Sequence, residues 1–95
     1  MIKDEYIQQI KKVVEQVLGK KKVKVFLFGS ATRQERFHDC GLGLVGKVSK
    51  PDVRRLQSIF EESVLPYKVD VVDFNQVSAV FKQNVFKQPI IWIKR

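Results

Sequence analysis

Segments whose apolar residues recur every third or fourth position alternate with short runs of β-branched and aromatic residues, and that alternation admits few folds. Ile7, Ile10, Val13, Val14, Val17 and Leu18 stripe one face of a helix from about Asp4 to Leu18, with Gly19 as its stop. Val23 to Phe28 has the composition of a strand, ended by Gly29 and Ser30. Ala31 to Asp39 is polar and mixed, and Cys40 to Val45 returns to an apolar run broken by Gly41 and Gly43. Ser49, Pro51 and Asp52 supply an N-cap, an early proline and a first-turn acid for a second helix reaching about Ser63, striped by Val53, Leu56, Ile59, Phe60 and Val64. Pro66 breaks that helix, and Val69 to Phe74 is a strand with Asp70 and Asp73 on opposite faces. Asn75 is read as the cap of a short helix that turns Val77, Val80, Phe81 and Val85 inward, and Pro89 opens a last strand, Ile90 to Ile93. The order αβ(α)βαβαβ predicts an α/β sandwich on one sheet covered by helices.

Size and composition narrow the function classes. At 95 residues, 44% hydrophobic and 29% charged, the chain has the apolar material for one core, and residues 1–95 are expected to form a single domain. The lone Cys40 excludes an internal disulfide framework and predicts a reducing, cytoplasmic setting. No run of 18 apolar residues is present, and the acids in the first helix are foreign to a signal peptide. The net charge of +8 favours nucleotides, nucleic acid or an acidic protein surface as partner. Seven lysines against three acids in residues 1–24 put a local +4 there, which fits non-specific polyanion contact, with a solvated face as the plainer reading.

Three short motifs each have a functional and a plainer explanation. Gly29-Ser30 at a strand end can offer backbone N–H groups and a hydroxyl to a phosphate, although turns favour the same residues. Gly41 to Val48 matches GxGxxG, but the glycines lie inside an apolar strand instead of between a strand and a helix, so the match is coincidental. His38-Asp39-Cys40 lacks a second base and an oxyanion donor, so Cys40 is expected to be a buried free thiol, and one His with one Cys cannot build a zinc site.

Taken together, the run Val25-Phe26-Leu27-Phe28-Gly29-Ser30-Ala31-Thr32-Arg33, the strand Val69-Asp70-Val71-Val72-Asp73-Phe74 and the ending Phe81 through Ile93 resemble the minimal nucleotidyltransferases, small bacterial members of the DNA polymerase β superfamily. The likeness runs the length of the chain. It implies a polymerase-β-like nucleotidyltransferase fold, α/β (α+β), with a mixed sheet covered by helices. In that family the Gly-Ser pair is followed, after ten intervening residues, by Asp-x-Asp on the next strand, with a third Asp on a later strand. Converging carboxylates are needed because two Mg²⁺ ions about 3.5–4 Å apart activate the attacking oxygen and stabilise the leaving pyrophosphate.

A gapless alignment puts Gly41 and Gly43 at the paired Asp positions and keeps Leu42, Leu44 and Val45 at apolar ones. A rival register with a two-residue deletion puts Asp39 and Gly41 there, and the pair is still broken. The resemblance implies Gly29, Ser30 and Arg33 as nucleotide-binding positions, Gly41 and Gly43 as degenerate metal positions, and Asp70 as the residual catalytic and metal-binding carboxylate. It also implies ATP or another NTP and Mg²⁺ as cofactors. The implied partner is a separately encoded all-helical protein, HEPN or substrate-binding-like, as in toxin–antitoxin pairs. The expectation is a family member with lost or weakened transfer of AMP, surviving as a nucleotide-binding or partner-binding subunit. Two alternatives stand beside it: an active nucleotidyltransferase using a non-standard site, and a basic module that binds nucleic acid without sequence preference. Strand glycines mark either an opened ligand pocket or a packing device, here one filled by nearby Phe side chains.

Overall fold

The apolar periods form helices and strands in the expected order, in a computed structural model that describes residues 1–32 and 36–95. They are α1 (Asp4–Leu18), β1 (Val23–Phe28), a 3₁₀ turn (Ser30–Thr32), β2 (Asp39–Gly46), α2 (Lys50–Glu61), β3 (Lys68–Asp73), α3 (Ala79–Phe86) and β4 (Ile91–Lys94). The four strands make one mixed sheet in the order β3-β2-β1-β4. β1 runs antiparallel to both β2 and β4, whereas β2 and β3 are parallel and joined across α2. Among the described residues no helix is long and apolar enough to cross a membrane.

Strand alternation sorts the side chains onto two different faces. Val23, Val25, Leu27, Cys40, Leu42, Leu44 and Val69 point to one face and pack with Ile10, Val14 and Leu18 of α1 and Leu56 and Phe60 of α2. Each of these buried aliphatic or aromatic side chains contributes about 1.5–3 kcal/mol by leaving water. The other face carries Phe26, Phe28, Val45, Val72, Phe74 and Trp92, with Val85 of α3 packed among them. Both long helices therefore cover one face, and the short α3 lies on the other.

Side-chain hydrogen bonds finish the edges. Ser49 caps α2 as expected, its hydroxyl accepting the Asp52 N–H at 3.2 Å. β3 is an edge strand, and Gln57 of α2 closes its open side: the amide nitrogen donates to the Val69 carbonyl at 2.8 Å, and the amide oxygen accepts from the Val71 N–H at 2.9 Å. A side chain thus replaces the neighbouring strand that those backbone groups lack.

Three expectations need correction. Ser78, not Asn75, caps α3, accepting the Phe81 N–H at 3.1 Å. Asn75 instead reaches the Gly46 carbonyl at 2.6 Å and Asp73 at 2.8 Å, which ties the turn after β3 to the end of β2. Val80 does not turn inward, being 68% exposed, whereas Phe81, though 40% exposed, packs its ring 5.7 Å from that of Phe74, and Val85 is the buried residue of α3. Val64 is 91% exposed, because α2 ends at Glu61 and leaves that position beyond the stripe.

Candidate functional site

The register of the sheet places the sequence-predicted positions in adjacent rows. Phe28 pairs with Gly41, and Gly41 pairs with Asp70. In the next row on the same face, Phe26 pairs with Gly43, and Gly43 with Val72. Asp39 shares this face by alternation and pairs with Lys68. The turn of Gly29 and Ser30 follows directly on Phe28, so the phosphate candidates and the glycine row meet at one end of the sheet. Arg33 lies outside the described residues.

The glycines are covered by aromatic rings. A Cβ at position 41 would stand 2.5 Å from Cζ of Phe28, and one at position 43 would overlap Phe26 and lie 2.8 Å from Cε1 of Phe74. Each ring occupies the volume of the side chain its cross-strand glycine lacks, a pairing that compensates for the weak strand propensity of glycine. The rings also pack on one another. Phe26 lies 4.9 Å from Phe74, 5.0 Å from Phe86 and 5.6 Å from Trp92 between ring centroids, and Phe28 lies 5.3 Å from Phe74. Phe81 and Phe86 bring α3 onto this cluster, which explains why the helix stays docked with few buried aliphatic residues.

The polar groups are sparse. The Asp70 side chain is half-exposed, with one carboxylate oxygen 3.9 Å from the Lys68 ammonium. Gly29 adopts a φ of 92°, the left-handed region open to glycine, and nothing stands within 4 Å of where its Cβ would be. Thr32, which sequence reasoning passed over, is buried behind this turn with its hydroxyl 2.9 Å from the carbonyls of both Gly29 and Pro89. It fastens the turn to the segment leading into β4. No local signal marks it, since the Pro89 contact spans the chain.

A sequence profile for the family described as polymerase beta, nucleotidyltransferase matches residues 8–95. The chain belongs to this family. No curated protein matches it. Among solved structures, the crystal structure of a toxin–antitoxin with AMP-PNP has a TM-score of 0.63 and 23% identity, over 87% of this chain and 71% of that one. At that identity the likeness is one of fold.

Nucleotidyltransferases of this family work with an NTP and divalent metal, and the donor set here does not fit a pair of Mg²⁺ ions. Asp39 and Asp70 are diagonal neighbours, the Lys68 ammonium competes for Asp70, and no third acid, His or Cys joins them among the described residues. Hard dications require several converging oxygens. The ring-filled positions 41 and 43 supply none.

Cys40 is buried on the helix-covered face, as expected for a small apolar residue. Burial, reinforced by the nearby Asp70 carboxylate, pushes its thiol from an ordinary 9.0 up to about 12. A thiol held protonated at neutral pH is no nucleophile. The folded form keeps this proton while the unfolded form loses it, so the contribution is intact below pH 9 and erodes as the pH rises toward 12. Between pH 8 and pH 10 the protein is expected to lose about 1 kcal/mol more stability than its Cys40→Ala variant. Urea unfolding at both pH values measures the difference, and parallel losses would contradict this account.

Proposed function

We propose that this nucleotidyltransferase-family domain does not carry out metal-dependent nucleotidyl transfer and serves as a binding subunit of a two-component system. The observation that carries the reading is the filling of positions 41 and 43 by the rings of Phe28 and Phe26. A carboxylate at position 43 would require the fully buried Phe26 and Phe74 rings to leave a packed cluster, so a carboxylate pair at 41 and 43 is not reached by a small adjustment. The open space at Gly29 supports retained contact of a nucleotide phosphate with backbone N–H groups, independent of metal. Val80, Phe81 and Phe86 leave apolar surface exposed on α3 beside the half-buried Phe28 and Trp92, a surface suited to an apolar protein partner. The fold it shares with a toxin–antitoxin structure is consistent with that role, and the partner implied by the family resemblance is an all-helical protein.

Incubation with α-labelled ATP and either Mg²⁺ or Mn²⁺, alone and with a co-expressed helical protein encoded beside it, is expected to give no labelled product. Asp70→Ala should behave as the parent does. Metal-dependent labelling that disappears in Asp70→Ala would overturn the reading in favour of an active enzyme with a non-standard site.

A further inference from the structure

We infer that the end of the sheet remote from Gly29 and Ser30 is a groove that binds a nucleic-acid strand through its phosphates. Four cavities of about 290 to 540 Å³ gather where α1 ends, β1 begins and β4 ends. They join through shared walls: Lys21 borders three of them, Lys94 two, and Glu15 another two. Their linings hold nine Lys and Arg against two carboxylates, a surplus of seven out of the chain's net +8. The rest of the molecule is almost neutral. The fold, not the sequence, produces this concentration, because it brings the Lys20 to Lys24 run beside Lys47 and the Lys94-Arg95 end.

The central cavity is lined by Lys21, Lys22, Val23, Lys24, Lys94 and Arg95, with no acid among them. Its floor is fixed. The register of β4 on β1 slips between Val25 and Phe26, and the Lys94 ammonium donates to the carbonyls of Lys21 at 2.7 Å and Val23 at 3.1 Å. Lys21 is held by Asp52, and Arg95 lies 5.1 Å over the Trp92 ring. Lys20, Lys22, Lys24 and Lys47 are exposed and make no ion pair among the described residues. Tethered cations thus shape a concave wall around ammonium groups that remain available to phosphates.

A phosphodiester strand fits better than the other polyanions. None of the exposed large apolar residues, Met1, Val64, Val80, Phe81 and Phe86, lines these cavities, so the surface lacks the anchors that a bilayer or a protein interface would use. The groove also lies about 17 Å of strand away from the Gly29 turn, the length of β1, so it is separate from the candidate nucleotide site and does not depend on the proposed function.

The test is fluorescence anisotropy with a labelled single-stranded RNA 20-mer. Four phosphate contacts predict a slope of about −2.8 in a plot of log affinity against log salt, which is roughly a 50-fold loss between 50 and 200 mM. Replacing Lys20, Lys22, Lys24 and Lys47 together by Gln is expected to weaken binding at least tenfold and flatten that slope. The same charge removed by Arg54, Arg55, Lys82 and Lys87→Gln should cost less than threefold, and all eight side chains are exposed, so both variants should keep the parent thermal midpoint. Equal losses in the two variants, no binding at 50 mM salt, or binding to phosphatidylserine vesicles but not to RNA would overturn the inference.

Discussion

Gly43→Asp is expected to destabilise the domain heavily instead of creating a metal ligand. The new Cβ would overlap Phe26 and meet Phe74, both fully buried, so neither ring can swing into solvent. Overpacking of this kind costs about 1–3 kcal/mol. The carboxylate would add the cost of a buried polar group without a partner, roughly 2–4 kcal/mol more. A chain of 95 residues has about 5–14 kcal/mol of total stability, so mid-range values of the two costs take about half of a mid-range stability. The thermal midpoint should fall by roughly 20 °C or more, and added Mg²⁺ should not recover it. Gly41→Asp is the internal comparison. There the obstruction is the far end of Phe28, a half-buried side chain at the sheet's end that can turn outward, so the expected cost is only about 1–2 kcal/mol. Circular dichroism melts of the two variants decide the matter: a Gly43→Asp protein as stable as Gly41→Asp would mean that the rings yield freely.

The same rings mark where sequence reading stops. The long helices and the strands at Val23, Cys40 and Val69 were legible because each has a clear period and its own stop signal, and Ser49 capped α2 as its chemistry required. The alternation also puts Gly41 and Gly43 on one face, where a gap filled by Phe side chains is one of two readings. Which residues fill it depends on pairing register, since Phe26 and Phe28 lie opposite the glycines only once β1 and β2 are aligned. The short α3 misled for another reason. Apolar residues at Val80, Phe81, Val85 and Phe86 fall around much of its circumference, so no single stripe defines an inward side, and its docking is set by ring contacts from other strands. Ser78 and Asn75 are both good caps, and only the backbone decides between them. The basic groove was half legible. The Lys20 to Lys24 cluster is local in sequence, whereas its association with Lys47, Lys94 and Arg95 is a property of the closed sheet.

If the aromatic cluster and a carboxylate pair compete for one volume, Phe26→Ala is the substitution that reveals it. Phe26 is fully buried and contacts Phe28, Phe74, Phe86 and Trp92, so its truncation is expected to cost about 3–5 kcal/mol and roughly 15–30 °C in thermal midpoint. The more informative quantity is its coupling to position 43. In the Phe26→Ala background the space above Gly43 opens, and Phe74, the other ring that a Cβ there would meet, gains room to shift into it, so a side chain at 43 fills a cavity in place of the clash with Phe26. Gly43→Ala should therefore be destabilising in the parent and close to neutral, or stabilising, in Phe26→Ala, with a coupling of about 1–3 kcal/mol from a double-mutant cycle in urea. Phe28→Ala with Gly41→Ala should show a weaker version of the same sign, because Phe28 is only half-buried. Additive costs at both pairs would mean that the rings merely lie near the glycines and do not compete with a side chain there. Strong coupling at 26 and 43 would show that the Phe26 ring and a side chain at position 43 exclude one another, which is the packing premise on which the proposed loss of metal-dependent transfer rests.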